Sequence, residues 1–130
     1  MKTVTVIKGC TAIAVLFASS AAFSQDGQMS GDELKALLGA GKKISLGGPG
    51  TGYSGSLMLN ADGTGAGKGK MDDGKKNFTI TGTWAIKGDE FCRTWKEFGD
   101  GKNVCERWIK TGNNKVDVLF GETKIGVNHW

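Results

Sequence analysis

From Tyr53 onward, turn-forming clusters recur at intervals of about ten residues, and the stretches between them alternate apolar and polar side chains. The turns are Asn60-Ala61-Asp62-Gly63, Asp72-Asp73-Gly74, Gly88-Asp89, Gly112-Asn113-Asn114 and Gly121-Glu122. Glycine, Asn and Asp supply the tight-turn backbone conformations that other residues resist. The clearest strand places Phe78, Ile80, Gly82, Trp84 and Ile86 on one face and Thr79, Thr81, Thr83 and Lys87 on the other. A period of two with one apolar face is the pattern of a sheet covering a core on one side only. Further strands are expected over 53–60, 64–70, 90–96, 103–110, 115–120 and 123–130, with a loop at Glu97–Lys102. The fold class that follows is mainly β: a small antiparallel β-barrel or strongly curved sheet of about six to eight strands.

The N-terminal segment reads differently. Lys2 and Lys8 precede an apolar run from Ala12 to Phe17, and Ala22-Phe23-Ser24 offers the small-x-small pattern of signal cleavage. The apolar run is shorter than the roughly 20 residues of a spanning helix. Residues 1–24 are therefore expected to be a signal peptide, removed together with Cys10, and residues 25–130 a single β-rich domain. Losing Lys2 and Lys8 takes the formal charge from +4 to +2. The remaining lysines are scattered, with doublets only at Lys42-Lys43 and Lys75-Lys76, so no stripe tracks a phosphate backbone and no nucleic-acid partner is expected. After the tail, Ser30 and Glu33 form a capping box, and Leu34, Leu37 and Leu38 share a helical face that stops at Gly39 and Gly41. A helix this short must dock on the rest of the domain to persist.

Cys92 and Cys105 are the cysteines left after cleavage, and in an oxidising compartment they are expected to pair. If they face each other across an antiparallel hairpin, with Cα atoms about 5.5 Å apart, the register is fixed. Arg93 then opposes Val104, Phe91 opposes Glu106, and Trp95 opposes Lys102. One face carries Phe91, Arg93, Trp95, Val104, Glu106 and Trp108; the other carries Glu90, Cys92, Thr94, Cys105, Arg107 and Ile109. The first has the larger aromatic area and is expected to face inward, with Arg93 and Glu106 diagonal neighbours. This suggests a ligand-binding set of Trp84, Arg93, Trp95, Glu106 and Trp108 at the mouth of the barrel. The structural alternative is an ion pair near the sheet edge with the tryptophans as ordinary core.

Other chemistries find little support. Gly47 to Gly52 is glycine-rich but leads into a strand rather than a helix, so it reads as a turn and not a dinucleotide loop. Gly69-Lys70 is followed by Met71, not the Ser or Thr of a phosphate loop. Between Asp62 and Asp73, Ala66 takes a ligand position of a calcium loop, and Lys68 and Lys70 add repulsive charge. The one histidine, His129, lies next to the C-terminus, with neither metal-ligand spacing nor a nucleophile motif around it. The acidic pairs Asp72-Asp73 and Asp89-Glu90 sit in turns. No metal, no cofactor and no catalytic residues are expected.

Several segments together resemble a family of small, exported, uncharacterised proteobacterial proteins. They are Gly31-Asp32-Glu33-Leu34-Lys35-Ala36-Leu37-Leu38-Gly39, the turn Ala61-Asp62-Gly63-Thr64, the strand Gly82-Thr83-Trp84 running through Cys92-Arg93-Thr94-Trp95, and Cys105-Glu106-Arg107-Trp108. The likeness covers most of residues 30–120 and implies a periplasmic location and a β-rich fold, with no stated activity. The functional expectation is a periplasmic or secreted, non-enzymatic protein that binds a small molecule or a periplasmic protein partner. The rivals are an interaction or inhibitor module acting through Gly47–Gly52 or Glu97–Lys102, and a small carboxylate-dependent hydrolase.

Overall fold

A computed structural model describes residues 27–74 and 76–130. The expected signal segment, with Cys10, lies outside these residues. The described chain forms one short helix followed by a closed antiparallel barrel of eight strands in sequence order, β1 to β8. The strands are β1 (Lys42–Gly47), β2 (Tyr53–Leu59), β3 (Thr64–Met71), β4 (Asn77–Lys87), β5 (Glu90–Trp95), β6 (Asn103–Gly112), β7 (Lys115–Phe120) and β8 (Thr123–His129). Closure comes from the pairing of β1 with β8, which sets Leu46 beside Asn128. A closed sheet leaves no open edge to recruit another strand. Of these strands only β1 goes unread in the sequence; Ile44 and Leu46 give it just two alternating apolar positions.

Helix α1 (Gly31–Leu38) begins at the expected capping box: the Ser30 hydroxyl accepts the Glu33 N–H, and the Glu33 carboxylate accepts the Ser30 N–H. Its Leu34 and Leu38 are wholly buried. The Gly31 N–H donates to the Asp89 carboxylate, fixing the helix at the β4–β5 turn. Residues 27–29 then pair with the part of β6 that extends beyond β5. The Met29 N–H donates to the Trp108 carbonyl, and the Lys110 N–H to the Gly27 carbonyl. One end of the barrel is thus plugged by Leu34, Leu38, Phe91 and Trp108 within a continuous apolar core.

The inner face of β3 is glycine at three alternate positions, Gly65, Gly67 and Gly69. Neighbouring large side chains use this space. A Cβ on Gly65 would lie 2.9 Å from the Trp95 ring, and one on Gly69 would strike the Phe78 ring. Gly82 on β4 is hemmed in the same way, by the Thr94 carbonyl and Trp95. These glycines are therefore wall, not turn punctuation. Packing, rather than backbone conformation, excludes a side chain at the three β3 positions.

Candidate binding site at the open end of the barrel

The β5–β6 hairpin has the register set by its cysteines. Cys92 pairs with Cys105, Arg93 with Val104, and Phe91 with Glu106. The bridge forms with Cα atoms 3.9 Å apart, closer than the 5.5 Å expected, nearer the narrow spacing of antiparallel partners. Pairing ends at Thr94 and Asn103. Trp95 and Lys102 are therefore not ladder partners, because the chain turns away into the loop that carries a short helical turn at Gly99–Gly101.

Arg93 and Glu106 meet on the inner face. Arg93 Nε donates to Glu106 Oε2 at 2.7 Å, and Trp108 Nε1 donates to Glu106 Oε1 at 3.2 Å. The two charged side chains are 13% and 8% exposed. Both Glu106 oxygens are thus engaged. On Arg93, however, Nη1 is buried with no hydrogen-bond partner. Leaving a buried donor unsatisfied costs about 1–3 kcal/mol, more for a charged group, and such an atom calls for an explanation.

A cavity of about 260 Å³ opens beside this pair. Arg93, Glu106 and Trp95 line it, together with Tyr53, Phe78, Phe98, Ile125 and Asn128 among others. Connections in an up-and-down barrel alternate between its ends. Met71 and Phe98, at the β3–β4 and β5–β6 connections, therefore place the cavity opposite the helix-plugged end. Its rim is apolar: Met71, Phe98 and Ile125 are exposed there. The Phe98 ring packs edge-on against Phe78. The loop bearing Phe98 is pinned by Glu97, whose carboxylate accepts the Thr81 N–H at 2.8 Å and the Thr81 hydroxyl at 2.7 Å. Those bonds, the hydroxyl's first, hold the Glu97 carboxyl below the usual range.

Two of the five residues expected at the site lie elsewhere. Trp84 is not among the lining residues; it stacks on Phe91, and its Nε1 donates to the Asn60 and Thr64 carbonyls. Trp108 is 1% exposed in the core, packed on Phe91 and Trp130, and reaches the site only through its bond to Glu106. Both are inward-facing as expected, but the helix fills their end of the barrel. Conversely, Tyr53, Phe78 and Phe98 carried no motif. The alternation that marks Phe78 as inward says nothing about which end is left open, and the sequence marks Tyr53 only as the start of a strand. Among the described residues, no group of three or more His, Cys, Asp or Glu side chains is placed to hold a metal ion.

Burial pushes the Glu106 carboxyl above the usual carboxylate range, and the Arg93 charge and the two donors draw it only part of the way back. A carboxyl whose pKa is raised by folding binds its proton more tightly in the folded state. Its stabilising contribution is complete below the unfolded value of about 4.3 and is lost as pH rises through the raised value. The stability of the wild type relative to Glu106→Gln should therefore be greatest in acid and shrink toward neutral pH. Denaturant unfolding of both proteins across that range checks this; a gap that widens with pH would show the opposite shift.

No protein-family model matches this chain, and neither does any curated protein or any solved structure. Among the described residues, no helix is long and apolar enough to cross a membrane.

Proposed function

We propose that this chain is a non-enzymatic binding protein that holds one small, largely apolar ligand in the open end of its barrel, in the periplasm or outside the cell. The observation that carries the reading is a largely apolar cavity into whose lining a few polar side chains converge, Arg93 with Glu106, Tyr53 and Asn128. A concave apolar site with a few convergent polar groups is the usual form of a small-molecule site, and eight-stranded barrels are wide enough to hold one small ligand. The Cys92–Cys105 bridge supports export, because disulfides persist in oxidising compartments. Kinship with small exported proteobacterial proteins belongs to the same reading. The Glu97–Lys102 loop, a candidate for an inhibitory protrusion, instead contributes Phe98 to the cavity lining.

Titration with the uncharged fluorophore N-phenylnaphthylamine tests the location. Binding should raise and blue-shift its emission at one site per chain. Val118→Phe, which adds bulk at a buried lining position, should weaken binding at least tenfold, as should Ile125→Trp at the exposed rim. Undiminished binding in both folded variants would place the site elsewhere.

A further inference from the structure

The charge of the cavity wall points to the class of ligand, an inference that rests on the binding role proposed above. Among the described residues, Arg93 and Glu106 are the only charged ones lining the cavity, and they are paired. The wall is therefore formally neutral before any ligand enters. Glu106 already accepts from Arg93 and from Trp108, and Arg93 balances its charge, so a cationic ligand finds no uncompensated anion to pair with. Arg93 spends its Nε on Glu106, and the rest of its partly exposed guanidinium has donors to spare. The Tyr53 hydroxyl, also in the lining, accepts the Val127 N–H at 3.0 Å and keeps its own proton for donation. Asn128 adds an amide that can donate or accept, so the polar groups left to a ligand are mostly donors and none carries an uncompensated charge.

A carboxylate at the Arg93 guanidinium would gain a charged hydrogen bond, but it would also set a second buried anion beside Glu106, sharing that guanidinium. Like charges in a poorly hydrated site repel strongly, and an uncompensated buried charge is costly. A carbonyl oxygen accepts the same hydrogen bond and adds no charge. We propose that the cavity selects an uncharged apolar molecule carrying a hydrogen-bond acceptor, of the ketone, ester or amide kind, and that Glu106 is the residue that excludes acids. The volume matches a compact ligand: at about 30 Å³ for each water-sized group, a cavity of about 260 Å³ holds roughly nine such groups. A longer apolar tail would emerge past Phe98 and Ile125.

Calorimetric titration with three probes of matched length, methyl heptyl ketone, nonanoate and nonane, at mildly alkaline pH tests the selection. The wild type should bind the ketone roughly tenfold or more tightly than either nonanoate or nonane, the scale of one hydrogen bond to a charged donor. Glu106→Gln keeps an acceptor for Trp108 and leaves Arg93 uncompensated, so the order should invert in favour of nonanoate. Arg93→Met combined with Glu106→Gln keeps the wall neutral and removes the charged donor, which should cut the ketone's advantage over nonane to no more than the Tyr53 hydroxyl and the Asn128 amide supply. A ketone-to-nonanoate ratio that is the same in the wild type and in Glu106→Gln would overturn the role of Glu106 while leaving the cavity as a site. Failure of all three probes to bind the folded wild type would overturn the cavity reading itself, and the selection with it.

Discussion

Trp108→Ala should lower the thermal midpoint by roughly 15–30 °C, the largest effect of any single substitution considered for this chain. Two losses combine. Removing a fully buried Trp costs about 3–5 kcal/mol through lost burial and the hole left behind, and Trp108 fills the space between Phe91 and Trp130 under the helix-plugged end. The substitution also strips Glu106 Oε1 of its donor. Trp108→Phe separates the two, because it keeps most of the ring and removes only the N–H. It should cost about 1–3 kcal/mol, the penalty of an orphaned buried acceptor. Differential scanning calorimetry of the pair decides the matter. Equal losses in both variants would mean that the hydrogen bond, not the packing, dominates.

Replacing Cys92 and Cys105 together by Ala should be the next most damaging change. The cysteines lie 13 residues apart, and closing a loop of that size stabilises by about 3 kcal/mol in the chain-entropy account. In a domain of this length that corresponds to a drop of roughly 12–24 °C. A second effect is expected as well. Arg93 directly follows Cys92 and Glu106 directly follows Cys105, so the bridge on the outer face clamps the register that brings the ion pair together on the inner face. The Cys-free protein should bind N-phenylnaphthylamine more weakly than the oxidised wild type at a temperature where both are folded. A midpoint and an affinity unchanged by the substitution would show that the strand ladder alone holds the hairpin.

Which features the sequence could convey follows from how local they are. The β4 alternation from Phe78 to Ile86, the capping box at Ser30 and Glu33, and the hairpin register from the two cysteines each arise from neighbours in the chain or from one covalent link. Each appears in the structure, the hairpin register only as far as Thr94 and Asn103 and without the expected Trp95–Lys102 pair. The contact between Arg93 and Glu106 follows from that register, and so it was legible too. Strand β1 was not, because Lys42 to Gly47 offers only Ile44 and Leu46 before the glycine loop begins. The difference between Trp95, which lines the cavity, and Trp84 and Trp108, which do not, was illegible for another reason. All three face inward, and only the docking of α1 at one end determines which of them meets open space. That is a fact of tertiary packing, absent from any period or spacing.

The empty inner face of β3 has a consequence for how such a sequence can change over generations. Its outward residues, Ala66, Lys68 and Lys70, meet solvent and are free to drift. Gly65 is held by the Trp95 ring, Gly69 by the Phe78 ring and the Ser54 carbonyl, and Gly67 by the backbone of Ser56 and Leu57 on the neighbouring strand. At Gly65 a side chain can appear if Trp95 shrinks in the same lineage, whereas at Gly67 and Gly69 the neighbouring backbone must give as well. Trp95 and Phe78 both line the cavity, so a compensated exchange of that kind would reshape the ligand space while leaving Arg93 and Glu106 in place. The barrel thereby separates two inheritable properties: the size of what it holds, written in glycine and its aromatic partners, and the charge of what it holds, written in one ion pair.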